Sequence, residues 1–87
     1  MIEINNYKAV SYSAFQKEMD YFFSKSELKE IEIAIKVGLK STATVKNAFR
    51  KDAQIVSDEV MTHIMGVINL DGFILWSKGK RIYYIKN

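Results

Sequence analysis

The order of apolar and polar positions along the chain predicts four helices followed by a β-hairpin. Apolar residues recur at helical spacing over four stretches. Two β-rich runs then flank Lys78-Gly79, a dipeptide typical of a tight hairpin turn. The predicted helices span about residues 14–23, 27–37, 42–51 and 57–69, and the predicted hairpin strands span about 73–77 and 80–85. We expect a mainly α fold with a small β component: a helix-turn-helix bundle of four helices plus a C-terminal hairpin.

Capping signals indicate where three of these helices begin. Ser13 with Gln16, and Ser24 with Glu27, have the spacing of a capping box, in which the two side chains satisfy free amide groups. Ser57 precedes two acidic residues, which favour the positive end of a helix dipole. These signals predict the first, second and fourth helices.

Each predicted helix has an apolar side that faces a core. In the second helix the predicted stripe is Leu28, Ile31 and Ile35, widened by Ala34. Ile33 and Val37 make the apolar arc broad, which suits a helix packed against two neighbours. The inward residues of the other helices are Phe15, Met19, Phe22 and Phe23, then Val45, Ala48 and Phe49, then Val60, Ile64, Val67 and Ile68, with Met61 and Met65 beside them.

A two-residue loop fixes the register of the hairpin. The predicted cross-strand pairs are Ser77 with Lys80, Trp76 with Arg81, Leu75 with Ile82, and Phe73 with Tyr84. Both hairpin faces are then apolar or aromatic, so we expect one face on the helices and the other against the N-terminal segment or a second chain. Residues 2–9 form a possible short strand at a sheet edge, which Asn5-Asn6 weakens.

The second and third predicted helices have the form of a helix-turn-helix. Ala34 is small enough for close helix approach, Gly38 ends the second helix, and the polar run 41–44 opens the third. The second helix of such a pair can lie in the DNA major groove.

Charge is uneven along the chain, although the net charge is only +3. Residues 36–51 contain five basic residues and no acid, and residues 78–87 contain four basic residues and no acid. The basic block at 36–51 coincides with the predicted reading helix, where a phosphate-facing surface requires it. An ordinary solvated basic helix is an equally open interpretation of the pattern alone.

The outward residues of the third helix include types that read DNA. Asparagine can bond adenine through two hydrogen bonds, and small or methyl-bearing groups contact thymine methyls. The predicted base-reading residues are Thr42, Ala43, Lys46 and Asn47. Phosphate contacts supply affinity with little sequence information. The predicted phosphate-binding residues are Lys40, Ser41, Arg50 and Lys51, with Lys78, Lys80 and Arg81 at the hairpin acting like a wing.

Composition narrows the function classes. The 87 residues support one domain, 1–87, and the absence of cysteine excludes disulfides and thiolate metal sites. No secretory signal or membrane-spanning run is present, so we expect a cytoplasmic protein without membrane contact. No paired carboxylates, activated nucleophile, metal constellation or Gly-rich phosphate loop indicates an enzyme, and we expect no cofactor and no metal. His63, the only histidine, is expected at the surface.

Several residues match a known DNA-binding family. Ile33-Ala34, Gly38-Leu39 and Thr44-Val45 are followed by IVSDEVMTHIMGVINLDGF at 55–73. Residues 31–73 thereby resemble the helix-turn-helix headpiece of LacI-type transcriptional repressors, within the lambda-repressor-like regulators. The turn before Val45 is one residue longer than in that family, and a hairpin follows in place of a hinge helix.

The resemblance implies roles for individual positions. It places Thr42 and Ala43 at the first reading positions, Thr44 at a phosphate contact and Asn47 at a base-reading position. We therefore expect a small transcriptional regulator that binds double-stranded DNA, as a homodimer joined through the hairpin. The alternative is a protein-interaction module on a helix-turn-helix scaffold that does not bind DNA.

Overall fold

Four helices pack on one face of a three-stranded antiparallel sheet. The computed structural model describes residues 3–87, apart from the side chain of Lys51, so the Ile2 end of the predicted N-terminal strand lies outside the described residues. The elements, in chain order, are β1 (Tyr7–Val10), α1 (Tyr12–Ser26), α2 (Glu30–Val37), α3 (Ala43–Lys46) continued by a π-helical segment (Asn47–Lys51), a 3-10 turn (Ala53–Ile55), α4 (Asp58–Val67), β2 (Gly72–Ser77) and β3 (Lys80–Lys86). The predicted class, mainly α with a small β component, is confirmed. None of the helices within residues 3–87 is long and apolar enough to cross a membrane.

The first two helices begin at other residues than the capping signals indicated. Ser11, not Ser13, caps α1, because its Oγ accepts a hydrogen bond from the Ala14 N–H at 3.1 Å. The side chain of Ser26 bonds the Phe23 carbonyl and the Leu28 N–H, so it helps to end α1. Glu27 then takes a left-handed conformation with φ of 60°. The predicted start of the second helix at residue 27 is therefore wrong, and α2 begins at Glu30.

The helix α2 buries only part of the apolar arc that was predicted to face inward. Ile33 and Ala34 are buried in the core, whereas Ile31 is 52% exposed and Ile35 is 70% exposed. The apolar spacing of this helix is compatible with either side, and packing against α4 selects the side of Ile33 and Ala34. The prediction that Ile31 and Ile35 face inward is wrong.

Gly38 ends α2, as predicted. Its φ of 87° is left-handed, and its N–H donates to the Ala34 carbonyl at 3.0 Å. The Leu39 N–H donates to the same carbonyl at 2.8 Å, which completes a glycine-based helix end. The chain therefore turns sharply from α2 into the segment that leads to α3.

The third helix is regular only in its first half. Val45, Ala48 and Phe49 are buried, as predicted, and the Phe49 ring stacks on Phe23 at 4.3 Å between centroids. From Asn47 to Lys51 the backbone is π-helical, so the prediction of one regular α-helix over 42–51 is wrong in its second half.

The fourth helix begins as predicted but ends earlier. The Ser57 Oγ accepts the Val60 N–H at 3.3 Å, and the helix ends at Val67. Its buried residues are Met61, Ile64, Met65 and Ile68. Val60 and Val67, predicted to face inward, are half-buried, because the methionines occupy the centre of the contact.

The sheet has the order β1-β3-β2, with β1 at an edge as predicted. The predicted start of this strand at residue 2 is wrong for the described residues, because Asn5 and Asn6 form a turn, with a left-handed φ of 73° at Asn6, and β1 begins at Tyr7. All four predicted hairpin pairs are present in the register of β2 and β3. Lys78 and Gly79 have φ of 53° and 76°, the left-handed conformations that a two-residue hairpin turn requires. Tyr83 and Ile85 of β3 join the helical core, while on the other face Phe73 stacks on Tyr84 and packs against Tyr7 of the N-terminal segment.

Candidate nucleic-acid interface

The exposed side of α3 contains small and basic side chains. Ala43, Lys46 and Arg50 are exposed, and Thr42 and Asn47 are half-buried between them and the core. The buried residues of the same segment hold it against α1 and the rest of the core. Three of the outward positions therefore form a surface on which another molecule can bind without unfolding the helix.

Three lysines between residues 36 and 46 have no acidic neighbour at ion-pair distance. Lys36 in α2, Lys40 in the turn and Lys46 in α3 are all exposed. In the part of the chain that the structure describes, ion pairs form only at Arg50, Arg81 and Lys86. The positive charge of the three lysines is therefore not compensated locally, which favours attraction of an anion.

Arg50 lies on the exposed side of the third helix and also forms an ion pair within the protein. Its Nε lies 3.3 Å from Oε2 of Glu30 in α2, and its side chain is 65% exposed while that of Glu30 is 15% exposed. This ion pair does not have the geometry of a hydrogen bond, since Glu30 Oε2 has no hydrogen-bond partner. Because 65% of the Arg50 side chain is exposed, its guanidinium remains accessible to a second anion.

Ser41, Thr42 and Thr44 lie at the start of α3, where the sequence predicted them. Thr42 occupies the N-cap position of α3 without a capping hydrogen bond from its side chain. Ser41 Oγ instead accepts the Ala43 N–H at 3.4 Å. Thr44 is half-buried. The side chain of Lys51 lies outside the described residues, so its predicted phosphate contact stays a prediction.

The hairpin turn provides a second basic surface. Lys78 and Lys80 are exposed on either side of Gly79. An open groove of about 730 Å³ separates the β3 end of this turn from the 3-10 turn, with Gln54, Trp76, Lys80 and Tyr12 among its lining residues. The hairpin turn thus lies beside the loop that connects the third helix to α4.

Arg81, predicted to bind phosphate, is bound within the protein. Its Nε donates to Asp58 Oδ1 at 2.7 Å, and its Nη2 bonds the same oxygen. Nη2 also donates to the Val56 carbonyl at 2.8 Å, and Nη1 to the Gln54 carbonyl at 3.2 Å. The Trp76 Nε1 donates to Asp58 Oδ2 at 2.6 Å. We therefore leave Arg81 out of the candidate interface.

This set of contacts holds the hairpin against the start of α4, and we call Asp58, Trp76 and Arg81 the hairpin clamp. Burial lowers the pKa of the Arg81 guanidinium, but its hydrogen bonds to Asp58, the neighbouring Tyr83 hydroxyl and the nearby negative charge of Asp58 outweigh that effect and raise it. The guanidinium also lies over the Trp76 ring, 5.9 Å from its centroid. The clamp fixes where the hairpin turn, with Lys78 and Lys80, stands relative to the helices.

Tyr12 fixes the segment that follows α3. Its hydroxyl oxygen accepts the Ala53 N–H at 2.8 Å and the Gln16 side-chain amide at 3.0 Å, and it lies 3.1 Å from Asp52 Oδ1, to which it donates. Burial is the main cause that raises the pKa of this phenol, and the hydrogen bond from the Ala53 N–H partly opposes the shift. The third helix is thus anchored at its end by a side chain from the start of α1.

The helix α4 contains no lysine or arginine, in contrast to the third helix. Glu59, Thr62 and His63 are exposed, and Asp58 is engaged in the hairpin clamp. No group of three or more metal-ligating side chains that could hold an ion occurs among residues 3–87 as described. His63 lies at the surface, as expected.

Comparison with protein-family models, curated proteins and solved structures gave no match. The resemblance to LacI-type headpieces therefore depends on the quoted residues alone and stays a prediction.

Two features of this surface were not predicted. The hairpin clamp joins residues 18 and 23 positions apart, and Tyr12 bonds a backbone group 41 positions away. The helix dipole favours a negative charge in the first turn of α4, which is enough to explain an aspartate at position 58. Nothing in the neighbouring sequence therefore indicated that Asp58 has partners in the hairpin.

Proposed function

We propose that the protein binds double-stranded DNA, with α3 in the major groove, and acts as a small transcriptional regulator. The observation that supports this proposal is the exposure of Lys40 and Lys46 without an acidic partner, in the same segment as the accessible guanidinium of Arg50. Backbone phosphates give DNA its high negative charge density, and binding that neutralises them releases counterions. A concentrated basic surface on a short helix suits such a ligand.

The other helix that could enter the major groove is α4, but the acidic residues in its first turn argue against this role. Both helices follow another helix after a short turn, and α4 leads directly into the hairpin. The first turn of α4 contains Asp58 and Glu59, whereas the segment from Lys36 through Arg50 contains no acid. A carboxylate next to a phosphate costs energy through like-charge repulsion, so α3 is the better candidate.

In this proposal the base-reading side chains are Ala43 and Asn47, and Lys46 contacts a phosphate beside them. Ala43 and the half-buried Thr42 are small, which permits close approach to base edges and thymine methyls. Asn47 has the amide that pairs with adenine. Lys40, Lys46 and Arg50 then contact phosphates, and Lys78 and Lys80 of the hairpin turn contact the backbone separately. 

Fluorescence anisotropy with a labelled duplex tests the proposal. With about five phosphate contacts, the logarithm of the affinity should fall against the logarithm of the salt concentration with a slope of roughly −4 to −5. Lys46→Glu should weaken binding to every duplex and reduce that slope by about 1. Lys8→Glu is the matched control, because it makes the same charge change at an exposed lysine on the edge strand β1.

The outcomes separate the candidate functions. Equal effects of Lys46→Glu and Lys8→Glu would indicate attraction by net charge alone and contradict a site at α3. A change of sequence preference in Thr62→Ala or His63→Ala would transfer the reading role to α4. Absence of any salt-dependent affinity would favour the second candidate, a protein-interaction module, which the exposed isoleucines of α2 support.

A further inference from the structure

The helix α2 has a second apolar side that the monomer leaves in water. Ile33 and Ala34 face the core, and Ile31 and Ile35 face outward. Residues four apart on a helix are neighbours on its surface, so the two isoleucines form one patch. β-branched residues have weaker helix propensity than lysine or glutamate, so helix formation alone does not explain two of them on a wet surface.

The other exposed large apolar side chains have contacts that account for them. Trp76 belongs to the hairpin clamp, and Tyr21 packs on Phe22 and lies under the Lys25 ammonium group. Ile55 stands alone in the 3-10 turn. Ile31 and Ile35 are the two that share one helix surface. Adjacent exposed apolar residues, unlike isolated ones, indicate an interaction site.

The charged residues beside this patch identify the partner. Glu32 and Lys36 are exposed next to Ile31 and Ile35, with the same spacing of four residues. When two α2 helices lie antiparallel about a two-fold axis, Glu32 of each copy faces Lys36 of the other. A parallel arrangement would instead place like charges opposite each other. The surface is therefore complementary to itself, as a two-fold interface requires.

Both charged groups are available for such pairs. Within residues 3–87 as described, neither Glu32 nor Lys36 forms an intramolecular ion pair. Oε1 of Glu32 accepts the Lys29 N–H at 2.9 Å, which holds this carboxylate on the exposed side of the helix. Its second oxygen remains for a lysine of another molecule.

We propose that a second copy of this chain docks on α2, antiparallel, through Ile31, Glu32, Ile35 and Lys36. This contact differs from the hairpin dimer that the sequence suggested, because the N-terminal segment covers part of the outer hairpin face and Tyr84 is buried there. The contact is small, and interfaces of this size are typical of weak, reversible association. It does not require DNA.

Charge exchange between copies tests the proposal by sedimentation equilibrium without DNA. Glu32→Lys alone, or Lys36→Glu alone, replaces both attractive pairs by repulsive ones and should weaken self-association by about tenfold or more. An equimolar mixture of the two variants restores opposite charges across the axis, so it should associate as well as the unmodified protein. The double variant Glu32→Lys/Lys36→Glu should also retain association.

Variants of the isoleucines test the apolar part. Ile31→Gln/Ile35→Gln should abolish association, whereas Ile55→Gln, which changes an isoleucine that is 66% exposed outside α2, should leave it unchanged. Circular dichroism checks that each variant is folded. The proposal is overturned if the unmodified protein stays monomeric at millimolar concentration, or if mixing the two charge variants gives no more association than either alone. Either result leaves DNA binding by α3 unaffected.

Discussion

Asp58→Ala tests how firmly the hairpin is attached to the helices. The substitution removes the acceptor of three hydrogen bonds, one from Trp76 and two from Arg81. The Arg81 side chain is 13% exposed, so its charge loses its acidic partner in a largely dry site, while the 35% exposure of Asp58 lets water replace part of the interaction. Hydrogen bonds to charged groups contribute about 1.5–3 kcal/mol, and we expect a loss of about 2–3 kcal/mol.

Urea unfolding followed by circular dichroism measures this loss. The total free energy of unfolding of a small domain is about 5–15 kcal/mol, so the expected change is a large part of it. Glu59→Ala is the control, because it removes an equal charge from the same helical turn, where the helix dipole contributes about 0.3–1 kcal/mol. The difference between the free energies of unfolding of Asp58→Ala and Glu59→Ala measures the contribution of the hairpin clamp to stability. If the two variants unfold within about 0.5 kcal/mol of each other, the clamp adds no stability and the reasoning fails.

Three further predictions concern the scaffold and the reading surface. Tyr12→Phe should lower the free energy of unfolding by about 1–2 kcal/mol at pH 7, as measured by urea unfolding. Because the pKa of the Tyr12 phenol is raised in the folded state, its contribution to stability is complete below about pH 10. The difference in stability between the variant and the unmodified protein should therefore shrink above that pH. Gly66→Ala, where an added Cβ meets open space, should raise stability by up to about 1 kcal/mol, whereas Gly72→Ala should lower the thermal midpoint, because its Cβ would lie 2.3 Å from the Tyr84 carbonyl oxygen. Asn47→Ala should relax base preference in a selection from random duplexes without changing the salt dependence of binding; a changed salt slope with unchanged preference would contradict its reading role.

Features set by neighbouring residues could be predicted from the sequence. Gly38 ends α2 because only its own backbone and the preceding turn decide that conformation. The two residues between the hairpin strands determine the whole register, so four cross-strand pairs followed from Lys78-Gly79. Ser57 caps α4 through a bond to a residue three positions away.

Features set by distant parts of the chain could not be predicted. Both sides of α2 have helical apolar spacing, and only the position of α4 decides that Ile33 is buried and Ile35 exposed. Ser11 and Ser13 are both plausible caps, and the end of β1 decides between them. Arg81 has the residue type of a phosphate ligand, but the fold brings it to Asp58. The basic surface around Lys46 was predicted because charge accumulates there in a continuous segment.

We propose that the outward side of α3 is the surface that contacts DNA. An NMR titration of the labelled protein with a short duplex tests it directly, since backbone amide shifts report contact residue by residue. We expect the largest shifts over residues 40–50, a second group at Lys78 and Lys80, and little change in residues 59–66 of α4. Shifts centred on α4, or none in any region at low salt, would contradict it.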